Sequence, residues 1–248
     1  MSAVYVLATS RTPIGRAFKG TLVQERPEDL AMAAIQDSVA KVHGLNPNEI
    51  DELILGVGVP GGEQGSNLAR VVAVLLGWDQ VPAHVVSRYC ASATQAIRSA
   101  AHAIRSGEEH CVIAAGVESI SSMARTDVDN LETAKSPRFD QAQARTQAVS
   151  GSVWRDPREN SELPDVYIPM GETAENLAGL FSISRSEQDE FALRSQTLAA
   201  NSQADGFWAR EMSHYQRADG TTMKTDESMR QETTLEGLSE LKPAFREN

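Results

Sequence analysis

The sequence predicts an α/β fold built on a mostly parallel sheet, and three observations carry the prediction. Short apolar, β-branched runs alternate with longer stretches of helical periodicity through the first half of the chain. Glycine and proline mark most of the junctions. With 41% hydrophobic residues, 248 residues are enough to bury one substantial core or two modest ones.

Val4 to Ala8 is the first apolar run and reads as a strand. Pro27 to His43 reads as a helix: Pro27 comes early, Glu28 and Asp29 occupy the positive first turn, and Gly44 follows as a stop. Leu53 to Val59 predicts a buried strand, and Asn67 to Leu76 a helix. Ala83, Val85 and Val86 form a further short strand that ends near Ser87. From Ala91 to Ser106, small and apolar residues recur at helical spacing (Ala93, Ala96, Ile97, Ala100, Ala101, Ile104) before Gly107. Cys111 to Gly116 completes the alternation as an apolar strand.

Near residue 121 the composition shifts. Residues 1–121 carry 9 Lys+Arg and 12 Asp+Glu, net -3, whereas residues 122–248 carry 14 and 22, net -8. Arg125 to Glu162 is a long polar stretch holding Pro137 and Pro157, for which the expectation is a functional excursion or a set of short helices. Order returns with Ser184 and Glu187, whose spacing is that of a capping box. The helix they begin should run to about Asp205, with Gly206 as its stop.

The net charge of -11 argues against nucleic acid or an anionic membrane surface as the main partner. No apolar run is long enough to span a membrane and no secretory leader pattern opens the chain, so a cytoplasmic protein is expected. In that compartment Cys90 and Cys111 stay reduced. Gly56-Val57-Gly58-Val59-Pro60-Gly61 spells a dinucleotide-binding turn, with Asp79 about 20 residues on. Pro60 and the four residues that intervene before Ser66 favour a flexible loop instead.

Cys90 stands where a buried strand runs into a small-residue helix. Free backbone N–H groups and the helix dipole favour negative charge there, which suits a nucleophilic thiolate. A buried structural cysteine is the alternative reading at that position, and for Cys111, inside its apolar run, it is the preferred one.

The surrounding residues resemble the nucleophile segment of the thiolase family. Ser87-Arg88-Tyr89-Cys90-Ala91-Ser92-Ala93-Thr94-Gln95-Ala96 follows that pattern, with Ser87 in place of the usual Asn and Ala93 in place of the usual Gly. Further resemblances occur in order along the chain, at Arg11 to Arg16, Gly116 to Ser119, Met170 to Asn176, Ser184 to Ser195 and Leu241 to Phe245. The resemblance implies a thiolase-like layered α/β fold, with a mixed, mostly parallel sheet and an inserted, mainly helical loop domain. It implies residues 1–121 as the core carrying the nucleophile and 122–248 as the loop domain that binds coenzyme A. The partners so implied are acyl-CoA and CoA, in a homodimer or homotetramer at full length, with no metal and with CoA entering only as substrate.

The implied chemistry is acyl transfer: Cys90 attacks a thioester, and the acyl-cysteine is then consumed by a carbanion or by CoA. Met170 would line the pantetheine channel, Arg230 would lie near the nucleotide phosphates, and Phe245 would stand at the adenine end. Arginine offers a planar fork for phosphate, and methionine and phenylalanine an adaptable apolar wall. Arg217, Lys224, Arg230, Lys242 and Arg246 gather positive charge in an otherwise acidic half. Gly237 stands where the family often has a serine.

Family segments of the Asn-Glu-Ala-Phe, Gly-His-Pro and second Cys-Gly-Gly-Gly kind do not occur in these residues. The expectation is therefore an N-terminal half that does not turn over alone. None of the five histidines (His43, His84, His102, His110 and His214) has the expected context, and His102 lies about 18 Å along the helix from Cys90. Three other readings stay open: a non-catalytic acyl-CoA-binding module, a ketosynthase-type condensing enzyme, and a dinucleotide-binding oxidoreductase.

Overall fold

A computed structural model describes residues 3–126, 135–148 and 154–246. Three parallel strands form the central sheet: β1 (Glu52–Gly56), β2 (Ala83–Val86) and β3 (Val112–Gly116), in the order β2-β1-β3. Parallel pairing needs a crossover between strands, and helices supply it. α1 (Pro27–Ala40) precedes β1, α2 (Leu68–Leu75) joins β1 to β2, and α3 (Ser92–Ser106) joins β2 to β3.

β1 is central and buried on both faces, as its near-continuous apolar run requires. Leu53 and Leu55 face one layer with Ala31 and Ile35 of α1 and Leu68, Ala69, Val72 and Ala73 of α2. Ile54 points the other way, onto Ala96 and Ala100 of α3. Alternation with period two thus sorts one strand between two helical layers. Gly107 ends α3 at φ +83°, as the sequence predicts.

Two compact units emerge. One comprises Met1–Asp129 with Gly206–Ser228, the other Asn130–Asp205 with Met229–Asn248. This differs from a division at residue 121, because Gly206–Ser228 returns to the first unit. Arg11 holds it there: its guanidinium donates to both oxygens of Asp226 (2.8 and 3.0 Å) and to Glu211 (2.7 Å), and lies over the Trp208 ring at 5.3 Å. The hairpin of β4 (Tyr215–Gln216) and β5 (Thr222–Met223) follows, and Tyr215 donates to the buried carboxylate of Glu25. Burial and that carboxylate raise the Tyr215 pKa.

Val4–Ala8 does not form the expected strand. Tyr5, Val6 and Leu7 are exposed at 76%, 76% and 69%, and no described strand pairs with them. A strand needs a neighbouring edge for its backbone groups, and here a cavity separates this segment from β3.

α4 (Ile120–Thr126) runs into the polar stretch, which contains the short helix α5 (Asp140–Ala148) and a 3-10 turn at Pro157–Asn160; residues 127–134 and 149–153 lie outside the described residues. The second unit continues with α6 (Met170–Phe181), α7 (Arg185–Ala204) and α8 (Leu235–Ser239). Ser184 and Glu187 cap α7 reciprocally, and Gly206 beyond it has φ +69°. Among the described residues no helix is long and apolar enough to cross a membrane, and no group of three or more His, Cys, Asp or Glu could hold a metal ion.

Candidate active site

Cys90 lies exposed in the turn between β2 and α3, two residues ahead of the helix. The turn is tight because Tyr89 takes a left-handed conformation at φ +46°. For a bulky L-residue that costs roughly 1–2 kcal/mol, so something must hold it. Ser92, 3% exposed, does: its Oγ accepts from the Arg88 N–H (2.7 Å) and donates to the Tyr89 carbonyl (2.6 Å). The Ala91 and Ser92 N–H groups donate back to the carbonyls of Arg88 and Tyr89.

The floor beneath this turn is made of glycine. A Cβ at Gly56 would stand 2.4 Å from the backbone of Ser92 and Ala93, and one at Gly116 would stand 2.6 Å from the Ala93 Cβ. The two strand-end glycines let the start of α3 settle directly onto the sheet. The alanine at position 93 is accommodated because Gly116 has no side chain.

Behind the turn sits a polar network centred on Gln64. Glu118 accepts from the Gly58 N–H (2.6 Å) and the Gln64 amide (2.6 Å), while the Gln64 oxygen accepts from the Ser119 N–H. Gln64 is fully buried. Ser87, in the position where the family usually has Asn, donates to the Gly58 carbonyl at 2.9 Å. The network clamps the loops after β1 and β3 to the base of the nucleophile turn, and paired in this way its polar groups rigidify the site.

Sequence reasoning missed Gln64, Glu118 and Ser92 as supports. Their signal was weak, since short polar residues beside glycine ordinarily read as loop. The left-handed Tyr89 carries no sequence signal at all.

The glycine run after β1 is not a dinucleotide turn. Gly58 serves Glu118, residues 62–64 form a 3-10 turn, and α2 begins only at Leu68. A pyrophosphate-binding turn leads directly into its helix.

Among the described residues no histidine hydrogen-bonds to Cys90, and no hydrogen bond reaches its Sγ. His84 instead pairs with Glu52 at 2.8 Å, and His43, His102, His110 and His214 are exposed at other positions. Cys111 is half-buried, and burial, with Asp51 and Glu49 nearby, raises its thiol pKa.

In the second unit, Met170 opens α6 and is 75% exposed, and Phe245 lies against the same helix end. A Cβ at Gly171 would fall 1.9 Å from the Phe245 ring, so that glycine makes the ring's seat. The structure therefore brings Met170 and Phe245 to one place. Arg230 is exposed and is fixed through its backbone, whose N–H donates to Gln196 of α7 at 2.9 Å.

The expected gathering of positive charge is only partly present. Arg246 is taken up by Glu172 and Asn176, and Arg217 by Glu25 and Asp219, because acidic neighbours outnumber them. Arg217 and Lys224 also belong to the first unit rather than the second.

Residues 4–248 match the family described as "Thiolase, N-terminal domain". A beta-ketoadipyl-CoA thiolase of Pseudomonas knackmussii is 37% identical over 97% of this chain and 59% of its own length. A 3-ketoacyl-CoA thiolase of Bacillus subtilis is 33% identical over 99% of this chain and 60% of its own. The chain thus spans about three-fifths of these relatives. Among solved structures, the Bacillus anthracis acetyl-CoA acetyltransferase superimposes with a TM-score of 0.75 at 36% identity, covering 97% of this chain and 58% of that one. Human mitochondrial 3-ketoacyl-CoA thiolase in complex with CoA gives the same TM-score at 29% identity, over 98% and 58%.

Proposed function

This chain belongs to the thiolase family, and from that premise we propose that it carries the acyl-accepting step of a thiolase-type acyltransferase, with Cys90 as the acceptor. The Cys90 thiolate adds to the carbonyl carbon of an acyl-CoA thioester. A new C–S bond forms, the bond to the CoA sulfur breaks, and CoA leaves as the thiolate, giving an acyl-cysteine. Condensation then consumes that acyl group with a second acyl-CoA, and thiolysis of a 3-ketoacyl-CoA is the reverse. Covalent capture of this kind divides one difficult transfer into two easier ones.

The single observation that carries the reading is the exposed Cys90 on a strained turn pinned by the buried Ser92. Strain of this sort is kept where a side chain must be presented in one orientation. Met170 and Phe245 would flank the pantetheine and adenine ends of CoA, with Arg230 toward its phosphates. Completing the cycle needs an activating base and a second base for the α-carbon, and among the described residues no hydrogen-bond partner of Cys90 supplies either. On this reading the 248 residues accept an acyl group without turning it over.

Competitive alkylation tests the proposal. Under limiting iodoacetamide at neutral pH, Cys90 should be modified stoichiometrically and well ahead of Cys111, and bound CoA should slow its modification. Equal labelling of the two thiols, or CoA binding without any effect on Cys90, would instead support a non-catalytic acyl-CoA-binding module.

A further inference from the structure

The β4–β5 hairpin leaves one of its edges open over α1. Tyr215 pairs with Met223 and Gln216 with Thr222, and the Arg217 N–H donates to the Thr221 carbonyl at 2.9 Å. Bonded and non-bonded pairs alternate along an antiparallel ladder. Tyr215 and Arg217 therefore share their backbone bonds with β5, while the backbone groups of His214 and Gln216 turn to the opposite edge. Among the described residues no hydrogen bond reaches them there.

A groove of about 730 Å³ runs along that edge. Met212 to Ala218 form one wall, and Asp29, Met32, Ala33, Gln36 and Asp37 of α1 form the other. Neither Thr222 nor Met223 lines it, which places it on the side of β4 away from β5. Its charge is acidic: Glu25, Asp29 and Asp37 stand against Arg217. Arg217 is already shared by Glu25 and Asp219, and Asp37 is held by Lys41. Asp29 has no such partner, because the nearby Arg26 is engaged by Glu28 and Glu63. Burial, and then Glu28 and Glu25, raise the Asp29 pKa.

The groove thus offers a row of unpaired backbone groups, a carboxylate that lacks a cation, and the adaptable apolar surface of Met32 and Met212. An extended basic peptide answers all three. A small cation would satisfy Asp29 and leave the edge unpaired, and a helix would keep its backbone bonds to itself. We propose that this edge of β4 accepts a short extended segment of a partner protein carrying lysine or arginine. Main-chain bonds to His214 and Gln216 supply affinity, and the groove selects the side chains. A long basic side chain lays its methylene stem on Met32 and brings its charge to Asp29. Charge also separates this partner from a second copy of the chain, whose net charge of -11 the acidic groove repels. The inference does not depend on the acyl-transfer reading.

The test uses the full 248-residue chain and a fluorescein-labelled peptide of alternating lysine and valine. Two further peptides serve as controls, one with N-methyl groups on every backbone nitrogen and one with glutamate in place of lysine. The expected result is saturable binding of the first peptide, at least tenfold weaker binding of both controls, and slowed amide exchange at His214 and Gln216. Gln216→Pro deletes an N–H on the open edge and none of the bonds to β5, and should weaken binding several-fold. Asp29→Lys reverses the charge and should abolish binding, which keeps the test decisive should the proline variant fail to fold. Absence of saturable binding would overturn the proposal, as would equal binding of either control peptide or wild-type binding by Asp29→Lys. Displacement of the peptide by spermine at equal affinity would show that charge alone is read and would overturn it. Dimerisation of the chain through this edge, lost in Gln216→Pro, would seat a second copy there and overturn it too.

Discussion

Ser92→Ala removes the group that holds the nucleophile turn. The Ser92 hydroxyl makes two hydrogen bonds, at 2.7 and 2.6 Å, from a site only 3% exposed. Each is worth about 1 kcal/mol net, so the variant should lose about 2 kcal/mol of stability. With the pin gone, the left-handed Tyr89 at φ +46° is free to relax toward an ordinary conformation, and Cys90 turns away from its presented orientation. Urea unfolding measures the first effect. The rate of Cys90 alkylation, followed by mass spectrometry, measures the second and should fall several-fold. Tyr89→Gly serves as the control: glycine adopts the same conformation without strain, and its greater unfolded-state freedom of about 0.5–1 kcal/mol offsets much of that gain. Stability should then stay within about 1 kcal/mol and Cys90 reactivity should persist. Were Ser92→Ala to leave both the unfolding midpoint and the alkylation rate unchanged, Ser92 would not be what holds the turn.

Four other outcomes follow from the structure. Gly56→Ala places a methyl group 2.4 Å from the Ser92 and Ala93 backbone and should cost about 2–3 kcal/mol by overpacking. Gly116→Ala, whose methyl group meets the Ala93 Cβ at 2.6 Å and, less tightly, the Ala93 Cα at 3.3 Å, should be largely rescued by Ala93→Gly in a double-mutant cycle. Arg11→Ala strips Asp226 and Glu211 of their shared partner and should cost about 2 kcal/mol, with amide exchange accelerating selectively across residues 206–228. Glu109 is the pH-sensitive group: burial first, and then its bond to Glu52, raise its pKa from 4.5 to about 7. The folded state therefore holds this proton more tightly than the unfolded chain does. The stability so gained is complete below about pH 4.5 and is lost as the pH rises through about 7. Comparing urea midpoints at pH 5 and pH 8 should show a loss of about 1 kcal/mol after allowing for solvent screening at this half-buried site, and Glu109→Gln should remove the dependence.

The elements legible in the sequence were those whose cause is local. The Ser184 and Glu187 capping box, the stops at Gly107 and Gly206, and the apolar run of β1 each specify themselves within a few residues. Cys90 was legible for the same reason, since a strand followed by a small-residue helix fixes its place. What stayed hidden depends on distant partners. Val4–Ala8 has the composition of a strand, but pairing requires an edge beside it. Residues 206–228 return to the first unit through Arg11, two hundred positions away in sequence, and nothing near either end announces it. The second unit's apolar and charged residues could be named singly, yet only the structure seats Phe245 on Gly171 and spends Arg246 on Glu172.

The central claim is that Cys90 accepts an acyl group from a CoA thioester, and intact-mass analysis of the purified chain after incubation with acetyl-CoA tests it most directly. The account predicts one acetyl group per chain, located at Cys90 by peptide mapping, stoichiometric release of CoA, and no acetylation in Cys90→Ala. An unmodified chain, or acetylation that survives Cys90→Ala, would contradict it.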